Sequence, residues 1–150
     1  MNDDKLISTL VELIESCEDG GQGFRTCFED EGNQSRNILF MDLALRFAAS
    51  KRELQGLVRG LGGQSKISGM VESATHRRWI DVKSAILSKD LESILEECER
   101  GEDAALHNYR DALNKDLPIQ IRHVGERQYQ GALCNREMVK RLRDQAGTVS

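Results

Sequence analysis

The sequence predicts an all-α protein, a four-helix bundle, and three observations support that prediction. Apolar residues recur at intervals of three and four along four long stretches, the spacing that gives a helix one buried face. The chain contains a single proline and only 5% aromatic residues. Its 150 residues suffice for one compact domain but not comfortably for two, so we expect a single domain over residues 1–150.

Composition and charge argue against several classes of partner. The net charge of −4, with basic residues interleaved among acidic ones, lacks the basic surface that nucleic-acid binding requires. No run of 18 apolar residues is present, so we expect no membrane span. The start, Met-Asn-Asp-Asp-Lys, lacks the basic and apolar regions of a secretory signal, which predicts a cytoplasmic protein.

The four cysteines, Cys17, Cys27, Cys98 and Cys134, show no metal-ligand spacing such as CxxC. In a reducing cytoplasm, buried free thiols are the default state of such residues. Cys98 and Cys134 are expected at similar heights on adjacent helices, so a disulfide between them is geometrically conceivable. The compartment argues against that disulfide, and we expect four reduced, unmetallated thiols.

The first helix is predicted from about Asn2 to about Glu31, with Asn2 as its N-cap. Its weak point is the glycine-rich segment at residues 20–23, because each glycine within a helix costs about 1 kcal/mol relative to alanine. Either the helix breaks there, or the glycines admit another group close to its backbone. The apolar stripe keeps its phase across the gap, which favours a continuous helix. That stripe comprises Leu6, Leu10, Leu13, Cys17, Phe24 and Phe28.

The second helix is predicted to begin after Ser35 as N-cap and to end at Gly60, Gly62 and Gly63. Residues 64–69 are predicted to be a linker. A shorter helix, from about residue 70 to residue 87, should then cross the bundle and pack on its outside. The apolar residues of that crossover helix are Trp79, Val82 and Ile86.

The third long helix is predicted over Leu91–Leu113 with Asp90 as N-cap, and Pro118 should lie in the first turn of the fourth. Short turns join the first two helices and the last two, so each of these pairs must be antiparallel. The long connection between the pairs allows the third helix to start beside the first turn. This is the connectivity of a ferritin-like bundle with a long helical crossover between the second and third long helices.

Glu102 occupies a position on the apolar stripe of the third helix where a leucine would be expected. Glutamate is almost never fully buried without a partner. Counting residues from the turns places Glu102 level with Arg46 of the second helix and with glycines 20, 21 and 131 of the other two. Arginine suits a buried carboxylate through bidentate hydrogen bonds. We therefore predict a buried ion pair between Arg46 and Glu102.

Four segments of the chain have a distinctive composition: ESCEDGGQGF, RELQGLVRGLGG, HRRWIDVK and ECERGEDAALHNYRDAL. These segments resemble a bacterial ferritin-like four-helix-bundle family of unknown function. The resemblance extends from about Lys5 to about Leu142. It implies a ferritin-like fold and no established activity, and it transfers no catalytic residue.

Metal-binding ferritin-like proteins carry a Glu on each of two helices and a Glu-x-x-His pair on each of the other two. Here the second helix has no histidine, and the last has His123 and Glu126 in the reversed order. We therefore predict no catalytic residue, no cofactor and no metal centre of that kind. A fallback set of ligands for iron or manganese consists of Glu15, Glu53, Glu102 and Glu126.

Three hypotheses for function follow from these observations. The leading one is a non-catalytic bundle that acts by association, with itself or with a protein partner, because the ligand set is incomplete. The alternative is an atypical carboxylate protein or enzyme that binds iron or manganese. The third is a small-molecule-binding protein that uses the glycine-lined middle of the bundle as a cavity.

Overall fold

The computed structural model describes residues 1–30, 34–65 and 91–149. In these ranges the chain forms four long helices: α1 (Asp3–Asp30), α2 (Gln34–Gly60), α3 (Leu91–Leu113) and α4 (Ile119–Val149). Helix α1 packs against α2 and α3, and α4 packs against α3 and less closely against α2. The predicted all-α four-helix bundle is confirmed. The crossover helix with Trp79, Val82 and Ile86, and the N-cap at Asp90, lie outside the described residues.

Side-chain contacts establish the directions of the helices. Cys17 of α1 contacts Tyr109 of α3, and further along α1, Cys27 contacts Cys98, which comes earlier in α3. These two helices are therefore antiparallel, and the same reasoning applies to the other neighbouring pairs. Helices α2 and α3 lie diagonally across the bundle and run parallel. The end of α2 and the start of α3 consequently lie at opposite ends of the bundle.

Helix α1 is continuous through its glycine-rich segment, as predicted. Its first turn is capped by Asn2, whose Oδ1 accepts a hydrogen bond of 2.9 Å from the backbone N of Lys5. At Gly20 the ring of Phe47 lies against the helix, where an added Cβ would come within 2.9 Å of Phe47 Cζ. The favoured expectation is therefore correct. The helix does not break, and its glycines allow a neighbouring ring to approach the backbone.

Helix α2 does not begin after Ser35, where the sequence predicts its start. Gln34 is already helical, so Ser35 lies inside the first turn and is not the N-cap. The predicted linker also needs correction, because Gln64 and Ser65 are helical.

The C-terminus of α2 has the predicted glycine-rich ending. The backbone N of Gly63 donates to the carbonyl O of Val58 at 2.9 Å, and that of Gly62 donates to Arg59 at 3.0 Å. This pair of bonds is a Schellman motif, which requires a left-handed residue after the helix. Gly62 supplies it with a φ of 78°, a conformation that glycine adopts without strain.

The connection between α3 and α4 is fixed from both sides. The carbonyl O of Pro118 accepts the backbone N–H of Arg122 at 2.9 Å, so Pro118 is the N-cap residue and the helix itself begins at Ile119. The sequence placed this proline one position too far into the helix. The guanidinium of Arg122 donates to the carbonyl oxygens of Leu113 and Lys115 at 2.8 and 2.6 Å. These bonds satisfy acceptors that the end of α3 leaves free.

Apolar residues from all four helices form one core along the bundle axis. The rings of Phe24, Phe40 and Phe47 stack between α1 and α2, with centroids 6.3 and 5.9 Å from that of Phe24. The stripes predicted from periodicity supply most of the buried apolar residues, which include Leu6, Leu10, Leu13, Ile14, Leu43, Leu54, Val58, Leu95, Ala105, Leu106, Ile121, Ala132 and Val139.

Candidate functional site

A chain of hydrogen bonds crosses the middle of the bundle and connects all four helices. The thiol of Cys17 in α1 lies 3.4 Å from the hydroxyl oxygen of Tyr109 in α3. That hydroxyl donates to Oε1 of Gln128 in α4 at 2.7 Å. The Nε2 of Gln128 then donates to Glu53 of α2 at 2.8 Å and to the carbonyl O of Ser50 at 3.3 Å. Polar groups at this level therefore bind one another.

The protonation of this chain follows from its burial. Desolvation raises the pKa of Cys17 to about 11 and also raises the pKa of the Tyr109 hydroxyl, so both groups keep their protons at neutral pH. Partial burial raises the pKa of Glu53, but hydrogen bonds from Arg127 and Gln128 outweigh it and lower that pKa. Because a protonated thiol is a poor nucleophile, this arrangement favours a structural over a catalytic role for Cys17.

Glu102 is buried as the periodicity of α3 predicts, with only 1% of its surface exposed. It faces a small pocket of about 10 Å³ between α1 and α3, room for about one water molecule. Neither carboxylate oxygen has a hydrogen-bond partner among the described residues. Desolvation and then the nearby charge of Asp103 raise the pKa of Glu102 to about 8, although Arg136 opposes them. Glu102 is therefore mainly a neutral acid at neutral pH.

The predicted ion pair between Arg46 and Glu102 is not formed, and this prediction is wrong. The guanidinium of Arg46 instead donates to Asp42 of its own helix at 3.0 Å and to Oδ1 of Asn135 in α4 at 3.3 Å. Helices α2 and α3 are diagonal, and it is Phe47, not Arg46, that faces the bundle axis. Counting residues from the turns gave the correct height for Glu102 along the bundle, since Glu102 lies beside the glycines of α1. Such counting gives no information about the rotation of α2 about its own axis.

The fallback carboxylates lie on different parts of the molecule. Glu15 lies in a groove on the α1–α3 surface, and Glu53 is bound to Arg127 between α2 and α4. Glu102 is inside the α1–α3 interface, and Glu126 is exposed on α4. Within the described ranges, no three His, Cys, Asp or Glu side chains are placed to bind a metal ion together. These four residues therefore do not fit a shared iron or manganese centre.

The structure brings together a different pair of cysteines from the one considered from the sequence. The sulfurs of Cys27 in α1 and Cys98 in α3 lie 3.4 Å apart and are buried, whereas Cys134 is exposed on α4. All four cysteines are free thiols in this structure. The order of the helices around the bundle explains the difference, since α3 presents Cys98 to α1 rather than to α4.

Sequence reasoning missed Tyr109 and Gln128 as the centre of the interior network. Both residues fall on predicted apolar stripes, and a polar atom on such a stripe signals a buried hydrogen bond. Asn135, which is buried and accepts from Arg46, gave the same signal and was also missed, because it lies on the stripe of α4 between Ala132 and Val139.

Fold and interior together define an all-α four-helix bundle that is crossed by a chain of hydrogen-bonded side chains and that encloses the carboxyl of Glu102. The chain matches, over residues 5–115, the model of a family described as a domain of unknown function, DUF2383, and it belongs to that family. The match includes α2, α3 and all of α1 except its first two residues. No curated protein matches the chain. In the part of the chain that the structure describes, every helix is too short or too polar to cross a membrane.

Proposed function

We propose that this protein is a bacterial, cytoplasmic, ferritin-like bundle without catalytic activity that acts by associating with a second copy of itself. The helix directions support the ferritin-like part of this proposal. Helices α2 and α3 are diagonal and parallel, with the end of one and the start of the other at opposite ends of the bundle. A bundle with one long crossover connection has this arrangement.

The observation that carries the proposal is an exposed apolar stripe on the outward face of α2. Ile38 and Leu45 are 66% and 57% exposed, and Ala49 and Gly56 continue the same face. The spacings of seven, four and seven residues keep all four positions within about 20° of one line on the helix. Large apolar residues grouped on one exposed face mark interaction surfaces more often than solitary ones do.

The stripe is self-complementary under a twofold axis. Two copies of α2 can pack antiparallel about a twofold axis that crosses the outward face of the helix at the height of residue 47. In that arrangement Ile38 faces Gly56 of the second copy, and Leu45 faces Ala49 of the second copy. Each large side chain thus meets a small one. A Cβ added at Gly56 would meet no atom within 4 Å, so the surface there is open to an incoming side chain. Twofold pairing through one shared patch is the commonest form of oligomer.

Sedimentation velocity over a range of protein concentrations tests this proposal. The unmodified protein should form dimers, Leu45→Glu and Ile38→Glu should be monomeric, and Gly56→Leu should weaken the dimer by filling the space that Ile38 occupies. Ile119→Glu is the matched control, because Ile119 is 70% exposed but lies at the start of α4, away from the stripe. A dimer that survives Leu45→Glu would contradict the proposed surface. A monomeric unmodified protein would rule out self-association and leave a different protein as the partner.

The alternative, a protein that binds iron or manganese, has one feature in its favour. The carboxyl of Glu102 is buried and has no partner among the described residues. Metal analysis of protein purified from iron- and manganese-supplemented cells tests this alternative. Stoichiometric metal that survives dialysis and is lost in Glu102→Gln would support it, whereas metal-free protein would rule it out.

A further inference from the structure

We propose that the cleft between α2 and α4 is a binding site for a small organic carboxylate. The cleft has a volume of about 330 Å³, within the range of small-molecule sites. It exists because α4 presents small residues where it faces α2. A Cβ added at Gly131 would meet no atom within 4 Å, and Ala132 follows it. Phe47 and Ala132 give the cleft an apolar floor.

Hydrogen-bond donors surround this floor. Arg46 uses Nε for Asp42 and Nη1 for Asn135, which leaves its Nη2 without a partner among the described residues. Arg127 uses only Nη2, which donates to Glu53, and its other nitrogens have no described partner. Both guanidinium groups line the cleft and are about half exposed or more.

A third donor comes from a buried side chain. Asn135 is 4% exposed and lines the cleft, and its Oδ1 is occupied by Arg46. No hydrogen bond joins its Nδ2 to a residue that the structure describes, and this nitrogen is not closed off from the surface, so it can donate into the cleft. A ligand oxygen in the cleft would satisfy this group.

These donors select an acceptor-rich ligand, and a carboxylate matches them best. Guanidinium groups bind carboxylates through paired N–H donors of matching geometry. Asp42 and Glu53 already balance the charges of Arg46 and Arg127, so the cleft offers directional donors rather than a large excess of positive charge. A singly charged carboxylate attached to a compact apolar group fits both the donors and the floor.

Isothermal titration of the full chain with benzoate, and with benzyl alcohol as the uncharged probe of similar shape, tests this proposal. Benzoate should bind at least threefold more tightly than benzyl alcohol. Gly131→Leu should weaken benzoate binding at least tenfold by filling the cleft. Gly60→Leu is the matched control, since Gly60 is also a helical glycine with no atom within 4 Å of an added Cβ but lies outside the cleft. It should leave the affinity unchanged.

A second variant tests the donors without changing the shape of the cleft. Arg127→Gln removes an exposed guanidinium and should bring the affinity for benzoate close to that for benzyl alcohol. Three results would overturn the proposal: no benzoate binding at 10 mM, a concentration near the weak limit expected for so small a ligand, equal binding of the two probes, or benzoate binding that persists in Gly131→Leu.

Discussion

The ring of Phe47 lies directly on the backbone of Gly20. A Cβ added at Gly20 would lie 2.9 Å from Cζ of that ring and 3.0 Å from Cε1 and Cε2, closer than such atoms approach in proteins. The same ring stacks on Phe24, one turn further along α1, at a centroid distance of 5.9 Å. The missing side chain at Gly20 therefore allows α1 and α2 to pack around an aromatic cluster.

Gly20→Ala should be less stable than Gly21→Ala, although both replace a glycine in the same helix. Either alanine gains about 1 kcal/mol of helix propensity. Overpacking against the Phe47 ring should cost about 1–3 kcal/mol at Gly20. At Gly21 the nearest atom is 3.6 Å away, an ordinary contact. Urea denaturation of the two variants measures the difference, and equal stabilities would contradict the close contact.

The pH dependence of stability should reveal Glu102. Its pKa of about 8 in the folded protein lies above the ordinary value of 4.5, so the folded state retains a proton that the unfolded chain releases. Stability should therefore fall as pH rises from about 4.5 to about 8, by a total on the order of 4–5 kcal/mol, and then level off. Chemical denaturation at a series of pH values measures this slope.

Glu102→Gln should abolish most of that slope, because the amide has no proton to lose. The variant should be more stable than the unmodified protein at pH 8. Glu126→Gln is the control, since Glu126 is exposed on α4, and it should retain the slope. If Glu102→Gln lost stability equally at every pH, the carboxyl would have a partner that the structure does not show.

Arg46 and Glu102 should behave independently. Arg46→Met removes a half-exposed surface ion pair with Asp42, which is worth about 0–1 kcal/mol, and a hydrogen bond to Asn135, which is worth about 1 kcal/mol. Breaking a buried pair would instead cost about 3–5 kcal/mol. In a double-mutant cycle of Arg46→Met with Glu102→Gln, the free energies of unfolding should add within about 0.5 kcal/mol. A coupling energy several times larger would show that the two residues do form the ion pair predicted from the sequence.

Tyr109→Phe should destabilise the bundle by about 1–3 kcal/mol. It removes the donor to Gln128 Oε1 and the acceptor for the Cys17 thiol, and both remain buried. Tyr129→Phe is the matched control, because the hydroxyl of Tyr129 accepts only a long surface bond of 3.5 Å from Arg110. The midpoint of thermal unfolding should be nearly unchanged in that control. A similar loss of stability in both variants would show that the interior hydrogen bonds of Tyr109 stabilise the bundle no more than the surface bond of Tyr129 does.

An oxidant should link Cys27 to Cys98 rather than Cys98 to Cys134. The sulfurs of the first pair are already 3.4 Å apart, whereas Cys134 is exposed on another helix. After treatment with diamide, which accepts the two electrons and two protons, thiol titration in denaturant should fall from four to two. Cys27→Ser should prevent this loss and Cys134→Ser should not. A peptide map showing Cys98 joined to Cys134 would contradict the helix order.

The helices themselves could be predicted from the sequence, because their signals are local. The end of α3 at Leu113 was predicted correctly, the glycines that end α2 form the expected motif, and Glu102 is buried as its place on the stripe requires. Each of these depends on periodicity or on the conformational range of a residue, both of which operate within a few turns of one chain segment.

Only the tertiary structure decided which residues of different helices meet. Successive residues of a helix differ by about 100° around its axis, so the rotation of α2 decides whether Arg46 or Phe47 lies at the centre of the bundle. Residue counting measures height along the axis and is blind to that rotation. For this reason Glu102 was placed at the right level with the wrong partner, and the pairing of Cys27 with Cys98 emerged only when the helices were packed together.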